Sequence, residues 1–319
     1  MMLIVPLLVF AISCNGQPME YGGGGPMPRV QKPRQPIREI KYNLVHSSKK
    51  PSAPKIIHFI WWQGIEDLVA RAESGKTAER NSPDWRAQFI PRWIESWKIQ
   101  HPTSRGWEHK MWDESSLINL AKELNYLDLM NKLPERIKKI DLSRYLILLK
   151  HGGIVTDVDF ESFKPIDSLI QGHSAVLAEE NADQSINCAW IASIPQHPIW
   201  TNVLNEISKR QLKEPNRGVM YITGPRMLTY VSEEWERARW EMTSDQDDGY
   251  DIYILRHASR DNRLLYPYHA DHMGDKNNRE IMSSSCSEEN NCAKKYPNSY
   301  AMHHFAATWY DHYKIEINL

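Results

Sequence analysis

Two aspartates one residue apart, Asp157 and Asp159, have the types and spacing best suited to chemistry in this chain. They follow a Gly-Gly pair and an apolar run, a pattern that predicts a glycine turn and a strand over residues 154–160. Alternation along that strand would place both carboxylates on one face. Two like charges this close cost free energy unless a cation offsets them. Carboxylate oxygens suit Mg²⁺ and Mn²⁺, which keep positions for substrate phosphates, so the pair predicts a metal that holds a diphosphate.

Asp141 and Arg144 lie three residues apart in a predicted helix over residues 135–150. Side chains at this spacing are neighbours on one helical face. They form either a surface ion pair or a pair that reaches a bound sugar or phosphate. In the second case a fixed guanidinium suits the charge of an anionic leaving group.

Aromatic residues and histidines complete the set of candidates. Trp61 lies at the end of a predicted buried strand over residues 56–62, where its ring either packs in the core or stacks on a nucleobase. Residues 303–309 form either a core strand with incidental histidines or a set of metal and phosphate ligands. The candidate side chains in this stretch are His303, His304 and Thr308.

The elements that must position these residues alternate between strands and helices. Further strands are predicted over residues 107–112, 175–177, 188–193 and 250–255. Helices are predicted over residues 85–99, 114–125, 199–209 and 225–235, while the polar residues 65–84 predict a loop. This alternation predicts an α/β domain with a central, mostly parallel sheet flanked by helices.

The composition is that of a globular protein. The chain has 319 residues, of which 41% are apolar and 25% charged, enough for one large domain or two small ones. The formal net charge is −1, which gives no support for a nucleic acid as partner.

The N-terminal region differs from the rest. Residues 3–12 are an apolar run too short for a membrane span, which needs about 20 residues. Residues 1–14 therefore predict a signal peptide or a short anchor, which leaves membrane association through the N-terminus open. Residues 15–53 are rich in glycine and proline without apolar periodicity and predict a flexible stem or linker, so the folded domain is expected over residues 54–319.

Cys286 and Cys292 have two possible states. In an exported protein they would close a small disulfide loop, and in a reducing compartment they would remain thiols. The sequence alone leaves this pairing open.

Taken in order, the motifs resemble those of glycosyltransferase family 32. The resemblance rests on IIHFIWWQG, on DLSRY followed by HGGIVTDVD, on TGPRMLT and on HHFAATW, and it covers about residues 54–312. This family carries a DXD sugar-binding region and includes yeast-type Golgi initiating mannosyltransferases. The catalytic domains of the large clostridial glucosylating toxins are more distantly similar.

The resemblance implies a GT-A-type, Rossmann-like domain that binds a GDP- or UDP-sugar with Mn²⁺ or Mg²⁺. It implies retaining transfer of a hexose, with mannose expected first, to a hydroxyl of a glycan, lipid or protein. The expected location is the secretory pathway, in the Golgi lumen or membrane of a eukaryote, or the exterior or envelope of a bacterium. The alternative is a non-catalytic carbohydrate- or nucleotide-binding protein on the same fold.

Motif position in the family also implies roles on the donor side. Trp61 would stack on the base, and Asp141 with Arg144 would contact the donor sugar. Asp157 would touch the ribose or sugar and assist the metal, and Asp159 would ligate the metal directly. The implied catalytic residues are Asp141, Arg144, Asp157 and Asp159.

The C-terminal motif is implied to complete the metal site. His304 would be a further metal ligand, while Thr308 and Trp309 would approach the metal and the diphosphate.

Overall fold

The computed structural model describes residues 51–79, 83–180, 185–240, 249–256, 264–267, 286 and 289–306. All of them belong to one compact unit, His46–Leu319. The predicted leader (1–14) and almost all of the predicted stem lie outside the described residues. Within the described ranges, no helix combines the length and apolar character needed to cross a membrane.

A six-stranded sheet forms the centre of the domain, in the order β2-β1-β3-β6-β5-β7. Only β6 runs antiparallel to its neighbours, which confirms the α/β architecture with a mostly parallel sheet. A separate two-stranded sheet pairs β4 with β8. The strands are β1 (Ile56–Ile60), β2 (Glu108–Trp112), β3 (Gly153–Thr156), β4 (Phe160–Ser162), β5 (Ala175–Glu179), β6 (Ile186–Ser193), β7 (Ile252–Leu255) and β8 (Ala301–His303).

Helices connect these strands along the chain. They are α1 (Ile65–Gly75), α2 (Pro83–Ala87), α3 (Ile90–Gln100), α4 (Glu114–Glu123), α5 (Leu127–Lys132), α6 (Arg136–His151), α7 (Asp167–Ile170), α8 (Pro198–Lys213), α9 (Val219–Ile222), α10 (Pro225–Trp240) and α11 (Cys292–Lys295).

Apolar clusters cover both faces of the sheet. Alternation along β3 sends Ile154 into one cluster, with Trp93 and Trp97 of α3, and Val155 into the other, with α6, α8 and α10. The central strands β3, β5 and β6 are buried along their whole length. Strands buried on both faces are typical of a sheet covered by helices on each side.

Two local predictions were wrong. Residues 65–84 are not a loop, because α1 occupies Ile65–Gly75 and buries Leu68 and Ala72 at helical spacing. The predicted strand over residues 154–160 is also interrupted. The Phe160 amide donates to the Asp157 carbonyl at 3.1 Å and closes a turn between β3 and β4. Asp157 and Asp159 therefore lie in a turn, where strand alternation does not set their direction.

The Gly152-Gly153 turn that precedes β3 requires glycine. Both residues have positive φ, and a Cβ on Gly153 would lie 2.6 Å from the Ile56 carbonyl oxygen. His58 Nε2 donates to the Gly152 carbonyl at 3.0 Å, while His58 Nδ1 accepts from Trp112 Nε1 at 3.1 Å. Burial lowers the pKa of His58 to about 3, so a neutral histidine fixes the turn against β1 and β2.

A disulfide joins Cys286 to Cys292, with Cα atoms 4.8 Å apart. Both residues are buried in the core cluster that also contains Trp93 and Met302. The disulfide itself therefore lies in the core, close to Glu161 and His304, while Glu289 and Asn290 of the loop that it closes are exposed.

Candidate functional site

A cavity of about 330 Å³ lies at the edge of the sheet where the parallel strands end. Trp61 follows β1, Asp157 follows β3 and Glu180 follows β5, and all three line it. Because β6 runs the other way, its first residues, Asn187 and Cys188, reach the same edge. Ligands of open α/β sheets bind outside the carboxyl ends of the strands, so this cavity has the position of a binding site.

The two aspartates meet His303 at this cavity. His303 Nε2 lies 3.1 Å from Asp159 Oδ1 and 3.9 Å from Asp157 Oδ2. The second oxygen of Asp159 accepts from the Ala306 amide at 2.8 Å. The register of the small sheet, which places Phe160 opposite His303, brings this histidine to the turn. The structure thus brings Asp157, Asp159 and His303 together.

Burial and charge act in opposite directions on this cluster. Burial and the neighbouring Asp159 raise the pKa of Asp157 against the opposing charge of Arg144. Burial also raises the pKa of Asp159, but His303 outweighs it and holds that pKa at about 2. Burial lowers the pKa of His303, and the charge of Asp159 outweighs burial and raises it. The cluster therefore favours a positive charge between its carboxylates.

The donor atoms of this cluster fit a divalent cation. One ligand atom each from Asp157, Asp159 and His303 lie within 4.8 Å of one another. His303 Nδ1 is buried and makes no hydrogen bond within the described ranges. Carboxylate oxygens with one imidazole nitrogen suit Mn²⁺ or Mg²⁺. When bound, such a cation stabilises charge that develops on a leaving diphosphate.

His304 points away from the aspartates. Its Nε2 lies 2.9 Å from Glu161 Oε2, and its ring stacks on Trp93 with centroids 4.1 Å apart. Cys292 is close to this pair, but its sulfur is part of the disulfide and offers no thiolate. The structure therefore places the imidazole of His303, and not that of His304, beside the carboxylates of Asp157 and Asp159.

Arg144 connects the aspartate turn to α6. Its Nη1 donates to Asp157 Oδ1, and its Nε lies 3.4 Å from Asp141 Oδ1. All three side chains line the cavity, and Asp141 and Arg144 are buried, so they do not form a surface ion pair. Burial raises the pKa of Asp141 to about 6 against the opposing charge of Arg144. A guanidinium between two carboxylates is thus fixed at the cavity wall.

Trp61 lines the cavity with a ring that is mostly buried. Only 7% of the residue is exposed, and it belongs to the core cluster. Its Nε1 donates to Asp67 Oδ2 at 2.9 Å, and the same oxygen accepts from Arg71 Nε at 3.0 Å. Trp61 therefore packs in the core and also lines the cavity.

Several cavity residues were absent from the sequence-based set. Arg71 lies on α1, where the spacing of Leu68 and Ala72 was an available helical signal. Glu180 and Asn187 form a hydrogen-bonded pair. The sequence contains no local pattern that predicts this contact, because the contact depends on the antiparallel direction of β6. Thr308 and Trp309 lie outside the described residues.

The part of the chain that carries this site is similar to a known family. Residues 90–176 match the family model described as a glycosyltransferase sugar-binding region containing a DXD motif. The matched range contains the four residues Asp141, Arg144, Asp157 and Asp159.

Two curated relatives are mannosyltransferases by name. Inositol phosphoceramide mannosyltransferase 1 of Schizosaccharomyces pombe is 30% identical over 176 residues, which cover 52% of this chain and 54% of that protein. The initiation-specific alpha-1,6-mannosyltransferase of Candida albicans is 34% identical over 168 residues, which cover 52% of this chain and 38% of that protein. The chain thus spans about half the length, or less, of these relatives.

Among solved structures, the catalytic domain of alpha-toxin from Clostridium novyi aligns with a TM-score of 0.34 and 11% identity, over 78% of this chain and 84% of that one. The matched range contains Asp157-Val158-Asp159, and the match confirms the resemblance that the motifs indicated: residues 90–176 are similar to a glycosyltransferase sugar-binding region containing a DXD motif.

Proposed function

We propose that this protein is a metal-dependent, retaining GT-A glycosyltransferase that moves a hexose from a nucleotide-sugar to an acceptor hydroxyl. One observation carries the proposal: Asp157, Asp159 and Arg144 converge on one cavity at the carboxyl edge of the sheet. The family match over the same residues supports it.

The donor side of the cavity divides into three parts. Trp61 faces the base, and Asp141 accepts hydrogen bonds from the hexose. The charge of Arg144 faces the diphosphate, where it stabilises the negative charge that develops as the glycosidic bond breaks. The acceptor hydroxyl attacks on the face from which the diphosphate leaves, so the anomeric configuration is kept. No covalent nucleophile from the protein is needed for this route.

The metal side consists of Asp159, Asp157 and one histidine. We assign the histidine to His303 in place of His304, because His303 Nε2 lies 3.1 Å from Asp159 while His304 is paired with Glu161. Mn²⁺ or Mg²⁺ held there supplies positive charge to the diphosphate. Thr308 and Trp309 approach the same diphosphate in this proposal.

Mannose from GDP-mannose is the first choice of donor, and UDP-sugars are the second. The names of the two relatives support a mannosyl group, and one of them names inositol phosphoceramide, a lipid. In this proposal the acceptor hydroxyl belongs to a glycan, a lipid or a protein. The apolar run at residues 3–12 and the disulfide support the secretory pathway or the cell exterior as location.

Donor hydrolysis tests the proposal. The purified chain is incubated with Mn²⁺ or Mg²⁺ and a panel of GDP- and UDP-sugars, and released nucleotide and free sugar are measured by mass spectrometry. We expect metal-dependent release, fastest from GDP-mannose, and an α-configured free sugar by NMR.

Asp167→Asn is the control for changes to the aspartates of the cavity. Asp167 forms an exposed ion pair with Lys55 at 3.0 Å, so this variant should match the wild type. Nucleotide binding without release across the panel would instead favour the non-catalytic binding protein. Absence of both binding and release would reject the donor site.

A further inference from the structure

The segment 217–225, between α8 and α10, contributes Val219, Met220 and Pro225 to the cavity wall. Two side chains of the neighbouring helices hold its carbonyl groups. Lys138 Nζ donates to the Arg217 carbonyl at 2.9 Å, and Arg210 Nη1 donates to the Tyr221 carbonyl at 2.7 Å. The segment is therefore fixed against α6 and α8 and is not a free loop.

Within this segment, Thr223 forms a hydrogen bond with the carboxylate of Asp141. It is fully buried, and its Oγ1 donates to Asp141 Oδ2 at 3.0 Å. Its carbonyl accepts from Tyr145 Oη at 2.8 Å, so the backbone of this residue is held as well. The next residue, Gly224, also lies beside this carboxylate, because a Cβ at this position would be in ordinary contact with Asp141 Oδ2 at 3.5 Å.

The two oxygens of Asp141 thus have different surroundings. Oδ2 accepts from the Thr223 hydroxyl, while Oδ1 lies 3.4 Å from Arg144 Nε and 3.7 Å from the Cys188 sulfur. A carboxylate whose one oxygen accepts a hydrogen bond from a buried donor cannot rotate freely about its Cβ–Cγ bond. One oxygen therefore stays directed to the side of Arg144, where Asp141 lines the cavity.

The geometry points to Thr223 as a positioning residue for the reaction, which acts by fixing the carboxylate of Asp141 toward the donor sugar. This inference rests on the proposed function, in which Asp141 contacts the hexose. Without the hydroxyl, the carboxylate is free to turn toward the guanidinium of Arg144 and to form a two-pronged pair with it. Such a pair would withdraw both groups from the sugar and the diphosphate. Nothing in this role requires Thr223 to touch the substrate.

The test compares Thr223→Val, which keeps the shape but removes the hydroxyl, with Thr223→Ser, which keeps the hydroxyl. A hydrogen bond to a buried charged group is lost, so we expect Thr223→Val to lower kcat of donor hydrolysis by about 10- to 100-fold. KM for the donor should change much less, because the contact of Trp61 with the base and the metal side of the site remain. Thr223→Ser should recover most of kcat.

Thr229→Val is the matched control. Thr229 Oγ1 donates to the Pro225 carbonyl at 2.8 Å and accepts from the Ile186 amide at 2.9 Å, and neither bond involves Asp141. Thr229→Val, like Thr223→Val, removes a threonine hydroxyl, here from α10 next to the segment 217–225. We therefore expect its melting temperature to fall while its kcat stays unchanged. Equal loss of kcat in both valine variants would mean that packing, and not the bond to Asp141, matters.

A double-mutant cycle separates positioning from folding. If Thr223 acts through Asp141, adding Thr223→Val to Asp141→Asn should lower kcat no further. Full additivity, or a Thr223→Val enzyme as active as the wild type, would overturn the inference. If Thr223→Val fails to fold, Thr223→Ala serves as the second variant without a hydroxyl, and nucleotide binding verifies its fold. An inactive wild type would reject the proposed function instead, so the two failures are distinguishable.

Discussion

Two acid–histidine pairs lie side by side on the small β4–β8 sheet and its adjoining turns, and they have different surroundings. Asp159 and His303 are 3.1 Å apart, and Glu161 and His304 are 2.9 Å apart. The first pair lines the cavity together with Asp157. The second pair is enclosed by the Trp93 ring and by the disulfide.

The surroundings give the two histidines opposite properties. Burial lowers the pKa of both, but two carboxylates face His303 and their charge raises its pKa. Glu161 bonds to His304 and raises its pKa, but burial outweighs this effect and keeps the pKa of His304 below its usual value. An acid–histidine pair thus becomes a candidate cation site where a second carboxylate and an open cavity meet it, and otherwise remains a buried hydrogen bond.

The largest expected difference between the two pairs is in the rate of donor hydrolysis after an acid-to-amide change, and Asp159→Asn makes this change in the first pair. Removing the ionised oxygen weakens the cation site, so donor hydrolysis should fall by about 1,000-fold or more. The same acid-to-amide change in the enclosed pair, Glu161→Gln, should lower the melting temperature and leave the rate near that of the wild type. Comparable rates for the two variants would remove the functional difference between the pairs.

Arg144→Lys tests the guanidinium that bonds to Asp157, beside the first pair. Lysine keeps the charge but loses the fork that reaches both Asp141 and Asp157. We expect kcat of donor hydrolysis to fall by about 10- to 100-fold. Nucleotide affinity, measured by calorimetry, serves as the control for an intact site. A lysine enzyme with wild-type kcat would show that charge alone is sufficient.

His303→Gln and His304→Gln test which histidine belongs to the metal. The Mn²⁺ concentration for half-maximal hydrolysis should rise by about 10- to 100-fold in His303→Gln. In His304→Gln it should stay unchanged, while the free energy of unfolding falls by about 1–3 kcal/mol because a buried bond and a ring stack are weakened. A raised Mn²⁺ requirement in His304→Gln alone would reverse the assignment.

A third buried histidine, His58, extends the comparison to pH. Its folded-state pKa is about 3 and its ordinary value is 6.5, so the unfolded chain binds the extra proton between these values. The stability contributed by neutral His58 is complete above pH 6.5 and is lost as pH falls toward 3, with a slope of at most about 1.4 kcal/mol per pH unit.

His58→Gln should therefore flatten the fall in stability between pH 6 and 4, measured by urea unfolding at each pH. Comparing slopes, and not absolute stabilities, cancels the carboxylates common to both proteins. Parallel curves for variant and wild type would show that His58 is not held neutral.

Short-range chemistry in the sequence was sufficient for much of the fold and for part of the site. The alternation of apolar strands and helices predicted the layered α/β sheet, because burial on both faces leaves its pattern in neighbouring residues. The Gly-Gly turn before β3 was likewise predictable, since only glycine fits there. Asp141, Arg144, Asp157 and Asp159 were recognisable from their types and spacing, and all line one cavity.

The sequence by itself determined which groups are available: two aspartates one residue apart, an aspartate and an arginine on one helical face, and two adjacent histidines. Tertiary structure decided how they are used. The register of β8 against β4 directs His303 to Asp159 and His304 to Glu161, which are contacts between residues 144 and 143 positions apart in the chain. The antiparallel course of β6 brings Asn187 to Glu180, and the fastened segment 217–225 brings Thr223 to Asp141. Such choices depend on long-range pairing and on burial, and local periodicity does not encode them.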